Sequence, residues 1–170
     1  SFRVEFGRRL RKQLLRLVKL LEGVTTLEVH EERLHQARIE CKRLRYLLEP
    51  LRSSFPSARQ AVKRCKGLQD VLGLLHDGYV LRLELQHVLD GLSSAKKRSK
   101  YGPGIGRAHA LNETRTHSLF DDLKREWLDG GVSTLAKYLD VLGEDIAGTS
   151  EVEIERKFLL SGIPPKTKRA

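Results

Sequence analysis

Methionine is missing altogether from this 170-residue chain, position 1 included. The expectation is a chain processed or cut from something longer. Cysteine is scarce as well. Cys41 and Cys65 are the only two, each within an apolar helical pattern and without CxxC spacing. That speaks against a disulfide framework or a metal site, and for a pair of buried reduced thiols. No apolar run approaches the ~20 residues of a membrane span, and SFRVEFGRRL has no signal-peptide core. The expected location is the cytoplasm. Aromatic residues, at 6 %, hardly interleave with the basic clusters, which counts against a stacking platform for single strands.

Positive charge is what the chain has in excess. Lys and Arg number 32 against 22 Asp and Glu, a formal charge of +10 with a pI near 9.9. A polyanion is the physical expectation, because neutralising a dense line of charge releases its condensed counterions. Nucleic acid, an anionic surface and a phosphate polymer are the candidates. With 39 % hydrophobic and 32 % charged residues, the composition is that of a folded, helix-rich domain rather than a disordered one.

Periodicity predicts helix up to about residue 145, hence an all-α antiparallel bundle. A first helix over about 2–22 repeats Phe6, Leu10, Leu14, Leu17 and Leu21, with Gly23 at its end. Thr25 and Glu28 suggest a capping box for a second, running to about Glu49 before Pro50. Ser57 and Gln60 suggest another, opening a third helix to about Leu75. Asp77-Gly78 reads as a turn or cap, followed by a fourth helix to Gly91. SSAKKRSKYGPGIG, residues 93–106, reads as a loop, and its GPGIG does not satisfy GxGxxG. Two further helices are predicted over about 107–128 and 132–144.

Two basic stripes stand out. In the first helix Arg8, Lys12, Arg16 and Lys19 lie nearly opposite the apolar face, where any helix keeps its solvated charge. The second helix differs. Its apolar arc is Ala37, Cys41, Leu44, Leu48 and Leu51, while His35, Arg38, Lys42 and Arg45 recur at i, i+3, i+7 and i+10 along its border. Cations so placed line a helix–helix seam, where water is partly excluded and an anion is less screened. Their types suit phosphate. Glu49 is placed to pair with Arg45 at i+4. Taken alone the stripe leaves two readings open, a phosphate groove and an ordinary basic helix surface.

LHQARIECKRLRYLLEPL, then KRCKGLQDVLGLLHDGYV, resembles the CHAD family, the conserved histidine α-helical domains. The resemblance rests on His35, Arg38, Lys42, Arg43, Leu44, Arg45 and Tyr46 in one helix. Leu68, Gln69, Leu72, Gly73 and Asp77 follow in the next pair. It implies a bundle of two related four-helix halves, with a basic central surface that binds inorganic polyphosphate. This chain carries one copy of the motif, similar to the carboxyl-terminal one, with additional helices after it. By matched position the implied phosphate contacts are His35, Arg38, Lys42 and Arg45, then Arg43 and Tyr46. Lys63 and Lys66 lie near the family's basic positions in the third helix; a solvated face is the equal alternative for them. His76 reads as a seam histidine, and Asp77 as a cap or ion-pair partner.

The carboxyl end changes texture. Residues 1–145 are expected to form the helical domain and 146–170 a linker with a strand-like tail. Glu151, Glu153, Glu155 and Lys157 share one strand face, and Val152, Ile154 and Phe158 the other. EIERK resembles the ExExK opening of the CYTH family, the triphosphate tunnel metalloenzymes. That resemblance implies, for a complete barrel, a divalent metal on Glu153 and Glu155 and a phosphate on Lys157. The ~20 residues that remain are too few for a barrel, and a charged edge strand has the same pattern. No catalysis is expected of this chain.

The leading expectation is therefore non-catalytic binding of inorganic polyphosphate, without a cofactor, a resident metal or a membrane partner. A second reading is a helical HD-type metal phosphohydrolase, with His76-Asp77, His35 and one of Asp121, Asp122 or Asp140. A third is nucleic-acid binding through Lys96–Lys100 and the first helix.

Overall fold

Apolar side chains recurring every three to four positions build the helices, and each helix buries the stripe so formed. The computed structural model describes residues 2–150 and 153, among which there are helices and no strand. In order these are α1 (Phe2–Leu21), α2 (Leu27–Leu48) with a 3-10 turn at Glu49–Leu51, and α3 (Pro56–Asp90). Then come α4 (Ala95–Leu123), which continues as a π-helical turn at Lys124–Leu128, and α5 (Gly131–Ala147). Short links make each helix run back along its predecessor. α2 lies between α1 and α3, α3 also carries α4 and α5, and α5 closes back onto α1. The expected all-α bundle is what forms.

Its core is aliphatic. Ala37, Cys41, Leu44, Leu48 and Leu51, the arc predicted for α2, are all fully buried. They meet Leu17 of α1, Cys65, Leu68 and Leu72 of α3, and Leu135 and Leu142 of α5 in one cluster. Both cysteines are free and buried, with the Cys41 thiol donating to the Cys65 carbonyl at 3.2 Å. α1 ends where expected, since Gly23 takes a φ of +68° that a side chain would disfavour.

Several predicted boundaries are corrected. α2 begins after Thr26, whose side chain makes no capping bond, so the Thr25 box does not open it. α3 is opened by Phe55 and Pro56, because proline at the first turn gives up no needed donor. Ser57 instead donates to Asp145 of α5 at 2.7 Å. The third and fourth predicted helices are one, since α3 runs unbroken through Asp77-Gly78. Gly78 is there for packing: a Cβ on it would overlap Thr116 Cγ2 of α4. The Asn112 side chain also crosses to donate to the Gly78 carbonyl at 2.8 Å.

Residues 95–106 are helical, not loop. Ser94 caps α4 by accepting from the Lys97 N–H, and the helix passes through Pro103. Beyond Gly78, and up to Asn112 on the return, α3 and α4 bury no residue fully. They project from the bundle as an antiparallel arm with Leu85, Leu89, Ile105 and His109 half-buried. Tertiary pairing along that arm overrides local turn chemistry. α5 extends past its predicted end to Ala147. The strand-like tail falls outside the described residues, apart from Glu153, whose N–H donates to the Ser150 hydroxyl at 3.3 Å.

Candidate functional site

A helix that keeps cations beside its apolar arc must bring them near the helix packed on that arc. α2 does so against α3. The imidazoles of His35 and His76 lie 4.5 Å apart, tilted by 37°. One turn on, a Cβ added to Gly73 would lie 3.5 Å from Arg38 Nε, so the arginine stem passes over the bare backbone of α3. These two pairs fix the antiparallel register. Continued by helical rise alone, it brings Gln69 level with Lys42 and Lys66 level with Arg45. Residues 66, 69, 73 and 76 repeat the three-four-three spacing of 35, 38, 42 and 45, which is why the stripes run together for about 15 Å.

Charge along this seam is unequally neutralised. Glu40, the only acid between His35 and Arg45 in the sequence, is buried and turned to α1, where it accepts from the Gln13 amide. It also accepts from Arg43 at 2.5 Å, which holds Arg43 on the far side of α2. Arg45 Nε lies 3.4 Å from Glu49 Oε1, as expected of the i+4 pair. The geometry falls short of a hydrogen bond, and Arg45 Nε is buried without a partner for it. The contact is an ion pair. Arg38 and Lys42 form no ion pair among the described residues. Lys42 and Arg45 both lie over the Tyr46 ring, 5.7 and 5.0 Å from its centroid, so the phenol steadies two cations at once.

Beneath the stripe the chemistry is inert. Hydrogen bonding with Cys65 and burial push the Cys41 thiol far above its ordinary range, and the nearby Arg45 pulls it back only in part. A thiol held protonated is no nucleophile. What the seam offers instead is donors. His35 Nδ1 and Arg45 Nε are buried without hydrogen-bond partners, and so is Gln69 Oε1 between them. Amide oxygen and nitrogen exchange places by a simple flip, which would turn Gln69 into a third donor. Buried polar atoms left unmatched are costly, and these three lie beneath the stripe of cations along the seam.

The predicted residues sort accordingly. His35, Arg38 and Arg45 are half-buried along the seam, with Lys42 and Tyr46 exposed at its lip. Arg43 stands apart, paired with Glu40. Lys63 and Lys66 are both exposed, and only Lys66 falls on the register that faces α2. Asp77 is exposed in mid-helix rather than a cap. Among the described residues no three His, Cys, Asp or Glu come together in a group able to hold a metal. His76-Asp77 therefore gains no third ligand from Asp121, Asp122 or Asp140. Lys96–Lys100 sit near the start of α4, at the arm's tip.

Gly73 and Gln69 were legible as motif letters but not as parts of a site. The signal that finds them is the shared three-four-three spacing on two successive helices. The CHAD domain family profile matches residues 2–86, a span that includes α1, α2 and most of α3. No curated protein and no solved structure matches the chain.

Proposed function

The chain belongs to the CHAD family, and from that premise we propose that it binds inorganic polyphosphate, without catalysis, along the α2–α3 seam. The family is known for polyphosphate binding. The observation that supports this reading most is the crossing of Arg38 over Gly73. A cation is thereby held half-buried at the seam, and no carboxylate pairs with it among the described residues. Arg38 and Arg45 grip successive phosphates, Lys42 follows the polymer's charge from the lip, and Lys66 faces them from α3. His35 and His76 close the end, and a proton on either ring adds a donor.

The reading is capture of the polymer rather than its turnover. Among the described residues no helix is long and apolar enough to cross a membrane.

Titration of labelled polyphosphate against rising salt tests the proposal. Affinity should fall steeply, and each seam cation removed should lower the log–log slope by about 0.7–1. Arg38→Ala with Arg45→Ala should weaken binding at least about tenfold, while Arg43→Ala changes it little. Salt-independent binding, or an indifferent double variant, refutes the proposal. Duplex DNA outcompeting polyphosphate at equal charge concentration would favour nucleic acid instead.

A further inference from the structure

A second groove lies on the other side of α1. Its floor is apolar, made by Leu10, Leu14, Leu139 and Ile146, and its volume is about 1400 Å³. Leu15 and Val4 also line it yet remain 60 % and 72 % exposed, two apolar side chains of α1 that nothing in the bundle covers. The α1 wall is basic, carrying Arg11, Lys12, Arg16 and Lys19, whereas α5 contributes Asp140 and Glu144. Gly7 and Gly143 face each other's side of this groove, and a Cβ on either would meet nothing within 4 Å. Glycine inside a helix costs about 0.5–1 kcal/mol against alanine, and nothing inside this bundle requires it at these two places.

We propose that this groove receives an acidic amphipathic helix of a partner protein. Size argues for a helix. Between Arg3 and Lys19 the groove is about 24 Å long, and a helix ~10 Å across would fill roughly 1900 Å³ over that length. The groove is long enough for a helix to lie along it, and its space exceeds the ~300–1,000 Å³ of an ordinary small-molecule pocket. Charge argues for acid. The bases of the α1 wall outnumber the two carboxylates opposite, so glutamates flanking an apolar stripe find partners along α1. A second copy of this chain, itself at +10, brings the wrong sign. Arg3 pins the groove's end by donating to the carbonyls of Ala147 and Thr149, each at 3.1 Å, so the opening is held rather than collapsible. The site is separate from the polyphosphate seam.

A fluorescent synthetic peptide of about 20 residues tests it, with a leucine stripe at helical spacing and glutamates on its flanks. A scrambled peptide of equal charge, lacking the stripe, is the control. The full chain should bind the striped peptide at least about tenfold more tightly than the scrambled one. Gly143→Trp, which fills open space, should abolish that preference while polyphosphate affinity stays unchanged. Arg11→Glu with Arg16→Glu, at exposed positions, should do the same and decides the matter should Gly143→Trp fail to fold. Equal binding of the two peptides overturns the proposal. A preference that survives these variants also overturns it, as does dimerisation of the chain that Gly143→Trp abolishes. Anionic vesicles displacing the peptide would assign the groove to lipid instead.

Discussion

Arg38 depends on an absence, the missing side chain at Gly73. Alanine there meets Arg38 only at ordinary contact distance, so Gly73→Ala should leave binding intact and gain a few tenths of a kcal/mol from helix propensity. Gly73→Leu should displace the guanidinium and weaken polyphosphate several-fold, with little change in thermal midpoint. Gly78 behaves oppositely. Its α-carbon faces Thr116 so closely that Gly78→Ala should cost about 1–3 kcal/mol by overpacking. Thr116→Ser, which removes the clashing methyl and keeps the hydroxyl bonded to the Asn112 carbonyl, should restore part of it in a double-mutant cycle. Glu5 offers a titration. Hydrogen bonds from Arg8 and Arg9 lower its pKa to about 2, so the pairing holds above the unfolded value and is lost as pH falls through about 2. Carboxyl NMR shifts should show that late midpoint, moving back up in high salt because the group is exposed.

At the level of elements, the two ends of α3 differ in kind. Its first six turns are locked on three sides by α2, α4 and α5, whereas the arm beyond Gly78 packs on α4, with only its base tied to α2 where Arg82 lies 3.4 Å from Glu31. Within that arm α4 carries Gly102, Pro103, Gly104 and Gly106, residues that weaken a helix unless packing supports them. Amide exchange should therefore be orders of magnitude faster over residues 97–108 than in α2. Equal protection of the two would show that the arm is covered in solution. Here local composition and tertiary packing pull in opposite directions. GPGIG has every local mark of a loop, and only packing of α4 against the far end of α3 makes it helix. α2 was legible because its local period and its tertiary partners agree.

The whole molecule is a positively charged bundle around a nonpolar centre, and its thiols report on that centre. Cys41 and Cys65 are inaccessible, and the Cys41 thiol is driven up by its bond with Cys65 and by burial. Alkylation at neutral pH should proceed only at the rate of global unfolding, so labelling against denaturant should track loss of helicity. Fast labelling of the native protein would contradict the packing. The amino-acid sequence by itself determined the helical class, the buried arc of α2, the basic stripe beside it and the family, because all four are written in short-range spacing. Only tertiary structure decided the rest. It ran α3 through Gly78, folded 95–106 into an arm, turned Glu40 away from the stripe, and laid Arg38 across Gly73. Each of those depends on which backbone lies opposite, and residues distant along the chain acquire such neighbours only when the helices pack.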